Sequence, residues 1–80
     1  MSHGITPEAT AEAMQRCATL DPSERDVLIY SSKGLHAKEV GALMCRGHKW
    51  VEKVKTTMFT KLDVSTTVEA AVIAAKAGIV

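Results

Sequence analysis

Apolar positions recur along this chain of 80 residues with the three- and four-residue spacing of amphipathic helices. Residues 1–5 are expected to be loose. Thr6-Pro7-Glu8 then reads as a helix start: an N-cap hydroxyl, a proline preset for the first turn, and an acid at the positive end of the dipole. The apolar stripe of that first helix is thin, with Ala9, Ala13, Met14 and Cys17. Asp21-Pro22-Ser23-Glu24 is a stronger start, because Asp21 and Glu24 stand three apart as a capping box requires. Val27, Leu28 and Ser31 face one side of the second helix, with Tyr30 nearby, and Gly34 is placed to end it in the left-handed conformation while Leu35 packs back.

A third helix is expected over residues 37–44, with Val40, Leu43 and Met44 buried and Gly41 admitting a neighbouring helix. Cys45-Arg46-Gly47 makes a tight turn, with Gly47 supplying the backbone freedom. The fourth helix runs over residues 48–61, and Val51, Val54, Met58 and Leu62 form its core stripe. After Asp63-Val64-Ser65, Thr66 and Glu69 form a second capping box. The last helix turns Val68, Val72 and Ala75 inward and ends near Gly78, leaving Ala70, Ala74 and Ala77 as a smooth face for a dimer contact.

Net charge is only +1, yet it is unevenly spread. Residues 33–61 hold seven lysines and arginines against two glutamates, a net +5, while residues 1–32 sum to −3 and residues 62–80 to −1. The basic stretch coincides with the third and fourth helices, and a local basic patch on a nearly neutral chain suits a polyanion. Lys49, Lys53, Thr56 and Thr60 share one outward face of the fourth helix, and long cations with short hydroxyls suit phosphates and base edges. A short helix, a tight turn and a longer helix with such a face are the layout of a helix-turn-helix DNA reader.

Other classes find little support. No apolar run approaches the roughly 20 residues that span a bilayer, and the N-terminus lacks the basic and apolar regions of a secretory signal, so a cytoplasmic protein is expected. Cys17 and Cys45 have no framework spacing and are read as reduced structural thiols. Cys45 and His48 alone do not close a zinc site, so neither metal nor cofactor is expected. No nucleophile–base constellation, phosphate-cradling glycine loop or carboxylate cluster marks an enzyme.

From Leu20 to Val80 the order of features resembles the LuxR-type helix-turn-helix domain, the GerE/NarL-like module. The resemblance is carried by Leu20, Glu24, Arg25, Val27, Leu28, Gly34, Leu35, Lys38, Glu39 and Val40, then Lys49, Val51, Lys61, Leu62 and Val64, then Glu69, Ala70, Ala71, Ala77, Gly78, Ile79 and Val80. It implies an all-α, four-helix domain over residues 20–80, with helices starting near Pro22, Ala37, His48 and Val68. The helix near 7–18 is then an addition within an N-terminal extension, residues 1–19. Such domains commonly follow a receiver or ligand-binding domain, so this chain resembles the stand-alone members.

The resemblance further implies a DNA-binding transcriptional regulator whose third domain helix, here residues 48–61, reads the major groove of double-stranded DNA. Lys38 matches a lysine near the phosphate backbone, Lys49 a lysine at the start of the recognition helix, and Lys53 and Thr56 positions that reach base edges. The last helix of the family often forms a homodimer interface. The chain departs from the pattern at Glu52, Trp50 and Arg46, and at His36 and Gly47 in place of capping serines. Trp50 and Glu52 therefore raise an alternative, a reading surface turned to a protein partner such as another transcription regulator, a receiver domain or RNA polymerase.

Overall fold

The computed structural model describes the backbone of residues 7–79 and the side chains of residues 10–79. Five helices and no strand are found among the described residues. They are α1 (Pro7–Ala18), α2 (Pro22–Ser32), α3 (Ala37–Met44), α4 (His48–Leu62) and α5 (Thr67–Lys76). Each expected helix is present, and all four later starts fall at or within one residue of the expected positions. The Thr6 cap, the loose residues 1–5, the side chain of Ala9 and the terminal Val80 lie outside the described residues.

One core holds the helices together. Cys17 of α1, Leu20 after it, Val27 and Leu28 of α2, Val40 of α3, Val51, Met58 and Leu62 of α4, and Ala70 and Ala74 of α5 are all buried. Burying side chains of this kind is worth roughly 1.5–3 kcal/mol for each large one, and every helix contributes at least one member. α1 packs on α5 and α4, α2 packs on α5 and α4, and α3 lies against α4.

The helix ends follow their local chemistry. At the start of α2, Asp21 Oδ1 accepts the Glu24 N–H at 2.8 Å, and Glu24 Oε1 accepts the Asp21 N–H at 2.9 Å. Gly34 closes α2 with φ +90°, and the Leu35 N–H donates to the Tyr30 carbonyl at 3.3 Å, the pairing of a Schellman motif. Thr66 accepts the Glu69 N–H at 3.2 Å, while the Glu69 carboxylate accepts from the Ser65 N–H and the Thr66 hydroxyl. α5 ends as α2 does, with Gly78 at φ +77° and the Ile79 N–H on the Ala74 carbonyl.

Three expectations about facing are overturned. In α5, Ala70 and Ala74 are buried in the core with Ala77 packed against it, so this face is not free for a dimer contact, while Val68 and Val72 are 74% and 48% exposed and Ala75 is exposed. The alanines let α5 lie close against α1 and α2, and residues two apart stand about 160° apart around a helix, so the valines face away. In α3, Leu43 is 58% exposed, not buried. The covered face is centred between Val40 and Gly41, which rotates Leu43 outward. In α1, Ala13 and Cys17 are buried but Met14 is 55% exposed, so its stripe is narrower than expected.

The turn between α3 and α4 also works differently. Gly41 admits not a neighbouring helix but the turn itself: a Cβ built on it would lie 2.5 Å from the Arg46 carbonyl oxygen. The left-handed residue is Cys45, at φ 56°. Gly47 is extended at φ −75° and serves as the N-cap of α4. The Arg46 N–H donates to the Gly41 carbonyl at 2.8 Å, so the turn folds tightly onto the last turn of α3.

Candidate nucleic-acid interface

α4 is fixed on its inner side by Val51, Met58 and Leu62, which are fully buried. At about 100° per residue, the opposite side must carry Lys49, Lys53, Thr56 and Thr60. The structure places these four side chains together, all exposed, within an arc of roughly 60°. Lys38 is exposed at the start of α3, the helix packed against α4.

The threonines are partly engaged. Thr56 Oγ1 donates to the Glu52 carbonyl and Thr60 Oγ1 to the Thr56 carbonyl, both at 3.1 Å. A threonine hydroxyl has one proton and two lone pairs, so in this rotamer Thr56 offers an acceptor and a methyl outward rather than a donor. That suits the amino group of adenine or cytosine and the thymine methyl, and it does not suit a phosphate oxygen.

The start of α4 differs from those of its neighbours. α2 is capped by Asp21, α5 by Thr66, and at α3 the Glu39 carboxylate accepts the His36 N–H at 3.0 Å. α4 begins on Gly47, which has no side chain to accept, and its first turn holds no acid. The first N–H groups of a helix lack partners within it and carry the positive end of the dipole. Lys49 adds a full charge there.

The two departures singled out for a protein contact are not brought together. Trp50 and Glu52 project about 160° apart around α4, on opposite flanks of the Lys49–Lys53–Thr56 stripe. Trp50 is half-buried against the core, and the Arg46 guanidinium lies over its ring at 4.8 Å from the centroid. Arg46 and Trp50 thus complement each other, a cation resting on an aromatic face. Glu52 is exposed on the other flank.

Two features were not legible beforehand. The first is the partner of Glu24. Glu24 is 3% exposed and its carboxylate receives Lys61 Nζ at 2.6 Å, which ties the start of α2 to the end of α4. The capping-box pattern marked Glu24, but nothing local marks Lys61, thirty-seven positions away. The second is a cleft of about 440 Å³ between the start of α2 and α4, lined by Asp21, Arg46, Trp50, Lys53, Val54 and Thr57 among others.

The thiols are both free, Cys17 buried and Cys45 exposed. Cys17 is the structural residue expected, whereas Cys45 stands in the open turn. Burial pushes the Cys17 thiol above its ordinary pKa, and nearby Arg25 partly opposes this. No group of three or more His, Cys, Asp or Glu side chains gathers to hold a metal among the described residues. No helix among them is long and apolar enough to cross a membrane. The chain matches no family model, no curated protein and no solved structure.

Proposed function

We propose that this chain is a DNA-binding transcriptional regulator that lays α4 in the major groove, in the manner of the LuxR-type domains it resembles. The observation that carries the reading is the exposed stripe of Lys49, Lys53, Thr56 and Thr60 on a helix held rigidly from behind. The uncapped, acid-free start of α4 supports it, since a helix start of that kind favours a phosphate. In this reading Lys38 and Lys49 hold the phosphate backbone. Lys53 reaches a guanine edge, and Thr56 accepts from an amino group or touches a thymine methyl. Two chains pair through the exposed Val68 and Val72 of α5, so that two copies of α4 meet two half-sites.

The salt dependence of duplex binding tests the electrostatic part. Each phosphate neutralised contributes about −0.9 to the slope of log K against log salt, so Lys38 and Lys49 together imply a slope of roughly −2 per chain. Lys49→Ala is expected to flatten that slope by about 1 and to weaken all sequences alike. A slope unchanged by Lys49→Ala and by Lys38→Ala would remove both residues from the interface.

A further inference from the structure

The cleft between α2 and α4 lies beside the reading stripe and shares only Lys53 with it. We infer that this cleft is a docking site for an acidic segment of another protein, anchored by an apolar side chain against Trp50. The inference goes beyond DNA binding and does not require it.

Shape, chemistry and charge agree on this occupant. At about 440 Å³ the cleft is an open depression in the surface. It takes one or two side chains of an extended or helical segment, not a folded domain. Its floor is Trp50 and Val54, both packed against the core, so an apolar anchor meets a rigid surface. Tryptophan and arginine are the residue types most enriched among interface anchors, and here Arg46 rests directly on the Trp50 ring.

The lip of the cleft carries Arg46 and Lys53, both exposed and neither in an ion pair among the described residues. Of the acids in the lining, Glu24 is buried on Lys61. Asp21 is exposed and keeps its charge, since it accepts only the neutral Glu24 N–H. Arg46 and Lys53 against Asp21 leave the opening at a net charge of +1, which favours an acidic partner. An apolar floor between two cations is wasted on a phosphodiester backbone and fits a carboxylate-bearing peptide with a Leu, Met or Phe. Docking itself stands apart from DNA binding; on the proposed reading of α4, Lys53 belongs to both surfaces, so the segment and a DNA duplex compete for it.

Trp50 is the only tryptophan of the chain, so its emission reports on this cleft alone. A display library of random short peptides is selected on the immobilised full chain, and enriched peptides are titrated against the free protein, Trp50→Ala, Arg46→Glu and Lys38→Glu. The expected result is enrichment of Asp- and Glu-rich peptides around one large apolar residue, with a shift in Trp50 emission on binding. Trp50→Ala and Arg46→Glu lose at least about tenfold in affinity. Lys38→Glu, an equal charge change away from the cleft, stays within about twofold. Arg46 is exposed, so Arg46→Glu keeps the test sound if Trp50→Ala fails to fold by circular dichroism. Absence of enrichment overturns the inference, as do enriched peptides that bind Arg46→Glu as tightly as the parent. An emission shift produced only by duplex assigns the cleft to the nucleic-acid interface, and one produced only by raising protein concentration assigns it to a second copy. Either result overturns the proposed occupant. The peptide titrations contain no DNA, and duplex is added only in a separate control, so the failure of peptide docking and the failure of DNA binding are read separately.

Discussion

Gly41→Ala sets helix propensity against packing, and the two predict opposite signs. By propensity alone, alanine in a helix interior is better than glycine by up to about 1 kcal/mol, so the variant should be more stable. The structure argues otherwise. The new Cβ would stand 2.5 Å from the Arg46 carbonyl oxygen, where ordinary contact begins at 3.4 Å, a shortfall of 0.9 Å. The obstructing atom is backbone and cannot rotate away. Its residue is tied by the Arg46 N–H to the Gly41 carbonyl at 2.8 Å and is followed at once by the Gly47 cap of α4. Overpacking of this kind costs typically about 1–3 kcal/mol. The net expectation is a loss of roughly 1 kcal/mol, or about 4–8 °C in melting temperature for a domain of this size. Thermal unfolding of Gly41→Ala beside Ala42→Gly checks it. Ala42 is exposed in the same helix and calibrates propensity there at about 1 kcal/mol. A Gly41→Ala protein that melts above the parent would refute the tight turn.

Lys61→Met leaves the buried Glu24 carboxylate with the Asp21 N–H as its remaining bond and should cost about 1–3 kcal/mol in urea unfolding. Restoring most of it by adding Glu24→Gln would show that the unpaired charge, not lost packing, was responsible. Gly47→Ser has open space at its Cβ and supplies the missing cap, so stability should rise by about 0.5–1 kcal/mol, whereas Gly47→Asp should weaken duplex binding by adding an acid at the start of α4. Ser31 is buried and its hydroxyl has no partner, so Ser31→Ala should be neutral or stabilising by up to about 1 kcal/mol; a loss beyond that would mean the hydroxyl is satisfied. In the native protein a thiol-alkylating reagent should modify exposed Cys45 and spare Cys17. The Cys17 thiol ionises less readily folded than unfolded. Its contribution to stability is therefore fully present below the ordinary thiol range and is lost as pH rises through it and toward the raised folded value.

The starts of α2 and α5 were legible because they carry their own chemistry. Asp21 and Glu24 close their capping box in both directions, Thr66 accepts the Glu69 N–H while Glu69 turns to the Ser65 N–H instead of the Thr66 N–H, and Gly34 and Gly78 close helices with positive φ. Facing was less legible where a small residue competes with a large one. Periodicity alone put Val68 and Val72 inside α5, but the alanines permit the close helix approach, and the valines were left out. Gly41 signalled an approach without naming the atom that makes it, since the Arg46 carbonyl arrives by a fold of the turn rather than by a helix crossing. Assigning the freedom of the turn to Gly47 failed for a similar reason, because Cys45 absorbs the left-handed angle. On α4, helical spacing alone sufficed to gather Lys49, Lys53 and Thr56. The cleft and the Lys61–Glu24 pair needed the packing of α2 on α4, which no local pattern contains.

Selection of random duplexes by the purified full chain tests most directly whether α4 reads DNA. It is run at low and at moderate salt with Lys53→Glu alongside. Enrichment of one sequence motif that persists at moderate salt and is lost in Lys53→Glu is the predicted result. No enrichment at either salt, or a motif that Lys53→Glu selects equally well, would contradict it.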